Sequence, residues 1–169
     1  MIVEVLALVV SPGHNYWFHG RPENGVGPHP TSYPAQVEVV AGSGIVGDRF
    51  FGAQGKQRSP LSIIAAEDVE AVGRLLQLDQ PLDARLARRN VVVRGVELTD
   101  LRHRRFRLTQ GDSVLELQGG GETAPCDWMD LVLAPGARDA LRGRGGLRAR
   151  PLSTAVLRIG PAQLDVAPP

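Results

Sequence analysis

Glycine and proline interrupt this chain so often that long helices are excluded. The 169 residues include 20 glycines and 13 prolines. They fall in clusters between short apolar runs and end whatever element precedes them. Glycine reaches backbone angles that other residues resist, and proline brings no amide donor. The run "VEVLALVV" (3–10) stops at Ser11-Pro12-Gly13 and reads as a buried strand. "AQVEVV" (35–40) alternates, and "LSIIA" (61–65) and "NVVVRG" (90–95) are further strand patterns. "RRFRLTQGDSVLELQGG" reads as two strands around Gln110-Gly111-Asp112, and "STAVLRIGPAQLDV" as two more around Gly160-Pro161. Helical spacing is clearest in "AEDVEAVGRLLQL" (66–78), where acidic residues open the run and Val69, Val72, Leu75 and Leu76 form the stripe. "DWMDLVLAPGARDALRG" is partly helical and broken at Pro135-Gly136. Many short strands with few helices predict a mainly β, β-rich α+β fold: a closed or partly open barrel with a few peripheral helices, which hides sheet edges best at this size.

Apolar residues make up 43% of the chain, enough for one core, so a single domain over 1–169 is expected. The segment 11–34 is an irregular loop dense in glycine, proline, histidine and aromatics. Its aromatics argue for an ordered loop, since disordered segments are poor in them. Net charge is +1, without the basic excess of a nucleic-acid binder. No stretch has the length of a membrane span, and Glu4 with no basic head argues against a secretory leader. A cytoplasmic protein with a small-molecule substrate is expected, with neither nucleic acid nor membrane as partner. Lys56 is the one lysine, in a Gly/Gln-rich loop, which disfavours Schiff-base chemistry.

Four groups of residues could carry chemistry. Cys126 is the one cysteine, preceded by "GGGETAP". A lone cysteine is commonly a small buried hydrophobe. Here flanking glycine and proline suggest an exposed loop, and "CDWMDLVL" could begin a helix, whose N-terminus favours thiolate. Glu122 and Asp127 act against that. Asp48 and Arg49 stand together in "GIVGDRFFG", either as a functional pair or as a tight turn whose aspartate bonds its own backbone. His14, His19 and His29 could hold zinc, though their irregular spacing suits loop-backbone bonding better. Two arginine clusters, "ARLARRN" and "RHRRFR", are either solvated surface or an anion-binding rim. Alternation would put Arg105 and Arg107 on one strand face with Arg104 opposite.

The order of these motifs resembles the MOSC domain, the module named for the C-terminal part of molybdenum-cofactor sulfurases. The similarity runs from about Val37 to Val166. It rests on Gly47-Asp48-Arg49, Asn90, Gly111 and Pro125-Cys126, and the insertion "PGHNYWFHGRP" is like that of stand-alone bacterial members. The resemblance implies a barrel-like fold and the molybdenum cofactor (molybdopterin) as ligand. It implies Cys126 as the catalytic residue and the metal ligand. It also implies Asp48, Arg49, Arg88, Arg89, Asn90 and Arg105 as cofactor-binding residues, with the basic ones on the pterin phosphate. The activity implied is that of a small molybdenum-dependent oxidoreductase reducing N-oxygenated compounds, fed by a separate electron donor protein. Alternatives are a sulfur carrier holding a persulfide on Cys126, supplied by a sulfur donor protein, or a non-catalytic domain that kept the fold and lost the site.

Overall fold

A computed structural model of the chain describes residues 1–15, 27–52 and 59–168. The central part of the 11–34 loop, with His19, and Lys56 lie outside the described residues. Among the described residues ten strands are formed: β1 (Ile2–Leu8), β2 (Gln36–Val40), β3 (Gly44–Ile45), β4 (Leu61–Ala65), β5 (Val91–Arg94), β6 (Arg105–Gln110), β7 (Ser113–Glu122), β8 (Leu147–Pro151), β9 (Ala155–Arg158) and β10 (Gly160–Val166). Seven close into a barrel in the order β1-β10-β6-β7-β8-β4-β5, and β3-β2-β9 make a small second sheet. The mainly β barrel expected from the sequence is what the chain forms. Among the described residues, no helix is long and apolar enough to cross a membrane.

Side-chain alternation fills the barrel. Val3 and Val5 of β1, Phe106 and Leu108 of β6, Leu115 and Leu117 of β7, and Leu147 and Ala149 of β8 all point inward and are buried. β4 and β5 do not alternate, and the reason is visible in their pairing. They are parallel, with Ile63 opposite Val91 and Ala65 opposite Val93. The connection between them carries helix α1 (Ala66–Leu75) back over their outer face. Both faces of "LSIIA" and "VVV" are therefore buried, as parallel strands require. A second apolar cluster forms outside the barrel, where Ile64 and Val92 meet Val69 and Val72 of α1 and Trp128, Met129 and Leu141.

α1 is shorter than the 66–78 pattern predicts. Its buried stripe is Ala66, Val69 and Val72, with Leu76 packed at the end, whereas Leu75 is exposed. Leu75 lies about 100° around the helix from Leu76 and so leaves the stripe. Gln77 takes a left-handed conformation that ends the helix. Two more helices follow Cys126, α2 (Trp128–Val132) and α3 (Ala137–Ala140), separated at Pro135-Gly136 as expected.

The glycines before Cys126, expected to lead into an exposed loop, continue β7 as far as Glu122. Gly119 replaces a side chain with the carbonyl of Leu101, which lies only 1.9 Å from where a Cβ would sit. The register with β8 shifts between Gly119 and Glu122, a β-bulge. Strand β8 escapes the apolar-run criterion because two of its five residues are arginines. It is a half-buried strand, with Leu147, Ala149 and Pro151 inward.

Asp68, in the first turn of α1, has its pKa raised to about 6, by desolvation first and then by Glu97. A carboxyl whose folded pKa exceeds its unfolded value favours folding when protonated. Its contribution is therefore lost as pH rises from about 4 through about 6. Asp68→Asn is expected to be more stable than the wild type at pH 7, with the gap closing toward pH 5. Thermal melts of both proteins across that range check this.

Candidate functional site

The chemistry-bearing residues meet outside the barrel wall, where β4 and β8 face the segment before α2. A cavity of about 190 Å³ opens there. Ser62 of β4 and Arg148 of β8 are cross-strand partners and form its floor. Arg49 and Phe50 enter from the turn after β3, Arg88 and Arg89 from the segment before β5, and Cys126 and Trp128 from the start of α2. His14 closes the set, its ring edge-on to Phe50 at 5.2 Å.

Asp48 is buried and does not line the cavity. Its carboxylate accepts from the Ser11 amide (3.2 Å), the Phe50 amide (3.1 Å) and Arg49 Nη1 (3.4 Å). The turn reading of the Asp-Arg pair therefore holds: the aspartate bonds its own turn, and it also contacts the arginine. Arg49 Nη2 donates to the Arg88 carbonyl at 3.3 Å, and the guanidinium sits 4.7 Å from the Phe50 ring centre.

Arg88 adopts a left-handed backbone (φ 54°), unusual for a residue with a side chain. In an extended segment, neighbouring side chains point to opposite faces. The twist at Arg88 is what lets both Arg88 and Arg89 line the same cavity. Arg88 Nη2 donates to Gly13 O at 3.0 Å, and its guanidinium lies 5.7 Å from the Trp128 ring. Arg89 is committed differently. Its Nε donates to Gly145 O (3.0 Å), Nη1 to Ala87 O (3.4 Å) and Nη2 to Thr123 O (3.4 Å). It ties the approach to Cys126 to the loop before β8. Gly145 has to lack a side chain there, since a Cβ would meet Thr123 O at 2.5 Å.

The electrostatics are one-sided. Arg49, Arg88, Arg89 and Arg148 line the cavity, and no carboxylate does among the described residues. Burial pulls Arg49 below the usual arginine range, only partly offset by Asp48. Arg88 falls to about 10, through burial first and then repulsion from Arg49. Arg89 also falls to about 10, through burial, with Cys126 acting in the opposite direction. Guanidiniums held this way gain from a bound anion, which offsets both desolvation and mutual repulsion. Arg49 Nε, Arg88 Nε and Thr123 Oγ1 are buried without a hydrogen-bond partner, and all three belong to residues of this cavity. Buried donors in native proteins are normally paired, and an acceptor oxygen of a ligand or of water would satisfy these.

Cys126 is partly buried, against the outer apolar cluster and on the cavity wall. α2 has five residues, too few to supply the helix-terminus effect expected from the sequence. The negative charges flanking the cysteine are engaged elsewhere: Asp127 pairs with Arg138, and Glu122 accepts from the Gly145 amide at 3.1 Å.

Asn90 and Arg105 are not cavity residues. Asn90 is 1% exposed. Its Oδ1 accepts from the Ser62 amide and hydroxyl (both 3.0 Å), and Nδ2 donates to Val9 O at 3.3 Å. The buried amide joins β4 to the segment after β1, so it supports the cavity floor without lining the cavity. Arg105 is exposed on β6, opposite Gln118, and lines a separate cleft with Phe106, Asp165 and the C-terminal residues. Arg107 shares that outer face and pairs with Asp165 at 3.1 Å. The zinc reading finds no support among the described residues, where no three His, Cys, Asp or Glu side chains come together. Arg148 was not anticipated. The signal is the alternation in "LRAR", which puts Arg148 on the face opposite Leu147 and Ala149.

No family model matches the chain, and no curated protein matches it in sequence. Solved structures that share its fold include the YuaD protein from Bacillus subtilis, with a TM-score of 0.72 and 18% identity. That match covers 98% of this chain and 96% of the other. YiiM from Geobacillus stearothermophilus matches at a TM-score of 0.60 and 17% identity, over 98% of this chain and 75% of that one. YiiM from Escherichia coli matches at 0.59 and 12%, over 96% and 68%. These neighbours fit a MOSC-like fold.

Proposed function

We propose that this chain binds the molybdenum cofactor and acts as a small oxidoreductase on N-oxygenated compounds. The observation that carries the reading is the meeting of Cys126 with four arginines around one cavity, two of them with unpartnered Nε donors. The residues fit the group. Arg49 and Arg88 would hold the pterin phosphate through their guanidiniums, and Arg148 would add charge from the barrel wall. The Cys126 sulfur is a soft donor suited to the metal. When bound, the cofactor supplies a redox-active centre for removing oxygen from nitrogen. The chain's own work is to hold the anion, orient Arg49 through Asp48, and fix the Cys126 segment through Arg89. Reduction of an N–OH compound to the amine and water takes two electrons and two protons. The electrons would come from a separate redox protein, because one cysteine cannot hold an iron–sulfur cluster.

Protein purified from a host that makes the cofactor tests this. Molybdenum and pterin are each expected to approach one per chain. Cys126→Ser is expected to lose molybdenum at least tenfold while keeping part of the pterin, and Arg49→Gln combined with Arg88→Gln to lose both. Absence of both from the wild type overturns the reading. Labile sulfane sulfur on Cys126, without metal, would establish the sulfur carrier instead.

A further inference from the structure

The cavity does not end at Arg148. A second hollow of about 330 Å³ lies beside it on the outer barrel face and shares both Ser59 and Arg148 with it. Its floor is Gly119, Gly120 and Gly121 of β7, and its far side is Gln118 and Arg150. The register explains the row. Gln118 is opposite Arg150 and Ser62 is opposite Arg148, so Arg148 and Arg150 leave β8 on the same face. Gly120 keeps the passage low: a Cβ there would lie 3.2 Å from the Arg148 carbonyl. Neither Arg148 nor Arg150 has a carboxylate partner among the described residues, and no carboxylate lines either hollow. The three glycines therefore leave a low path that Arg148 and Arg150 both line. A ligand that carried only one phosphate would use the Arg49–Arg88 end and leave Arg150 idle.

We propose that the cavity and the glycine-floored groove form one continuous site for a diphosphate-bearing ligand. The first phosphate lies at Arg49 and Arg88, and the second between Arg148 and Arg150. The inference rests on the anion-binding part of the proposed function and specifies the form of the ligand. It also assigns a role to the "GGG" of β7 that the barrel alone does not demand at Gly121, where an added Cβ would meet nothing within 4 Å.

Calorimetric titration of the cofactor-free full chain with inorganic phosphate, inorganic pyrophosphate and GDP tests it. Pyrophosphate and GDP are each expected to bind at least tenfold more tightly than phosphate. Arg150→Ala, a surface change, is expected to reduce that advantage to under threefold and leave phosphate affinity unchanged. Arg74→Ala, which removes an equal charge at the exposed end of α1, should change neither. An advantage that is absent, or that survives Arg150→Ala, overturns the groove proposal while phosphate binding upholds the cavity. Phosphate that fails to bind the wild type, or binds equally well after Arg49→Gln and Arg88→Gln, overturns both. A loss of phosphate affinity in Arg150→Ala equal to that for pyrophosphate would mean a general surface field and no second subsite.

Discussion

Gly119→Ala is expected to be the most damaging single-methyl change in the three-glycine run of β7, and Gly121→Ala nearly silent. At Gly119 the new Cβ would fall 1.9 Å from Leu101 O, 3.0 Å from Leu101 C and 3.3 Å from Arg104 O. All three are backbone atoms, so no rotamer relieves the clash. The 3₁₀ turn Leu98–Leu101 would have to lift away, and it carries Leu98 and Leu101 into the barrel core. The Gly119 amide, which donates to Arg104 O at 2.8 Å, would be pulled with it. Loss of core contact plus a strained ladder bond puts the cost at roughly 3 kcal/mol or more. Gly120→Ala meets Arg148 backbone at 3.2 Å and should fall between. Gly121→Ala meets nothing and has no positive φ, so a change within about 0.5 kcal/mol is expected. Urea unfolding of the three variants checks the order. Equal costs at 119 and 121 would show that the close approach of the 98–101 turn does not hold the barrel together.

The second large effect is expected at Asp48. Its carboxylate is fully buried, beside an Arg49 side chain that is 9% exposed, and it also accepts two backbone amides. Asp48→Ala leaves a buried guanidinium facing three others, and leaves the Ser11 and Phe50 amides unpaired. Breaking a buried pair from one side costs about 3–5 kcal/mol, most of it the penalty of the orphaned charge. Asp48→Asn keeps one acceptor oxygen and should cost less. Inorganic phosphate should narrow the deficit of Asp48→Ala more than it stabilises the wild type, because an anion in the cavity replaces part of the lost charge. Denaturant titrations with and without phosphate measure this. A deficit under 1 kcal/mol, indifferent to phosphate, would mean that water already solvates Arg49.

Much of the fold was legible because it depends on local patterns. Alternation in "QVEVV" and "RFRLT", the hairpin at Gln110-Gly111-Asp112 and the break at Pro135-Gly136 are short-range signals, and the chain obeys them. β8 was hidden because arginines occupy its outward positions, so the strand that brings Arg148 to the cavity shows no apolar run. The glycine run before Cys126 suggested an exposed loop, whereas Gly119 and Gly120 admit another segment's backbone, which only a distant contact can require.

The candidate site divides the same way. The amino-acid sequence determined the inventory: a single thiol, an arginine excess over lysine, an Asp-Arg pair after a glycine, and a strand count that calls for a barrel. It could not determine which arginines converge. Arg88, Arg89 and Arg49 meet because the segment before β5 and the turn after β3 come together over β4 and β8 of the barrel wall, whereas Arg105, equally basic in sequence, faces another cleft. Asn90 was read as a ligand contact and is consumed in strand junctions. Side-chain chemistry is local and can be read residue by residue. Convergence depends on barrel closure, which brings together positions from 14 to 148 and is fixed by burial of the whole core.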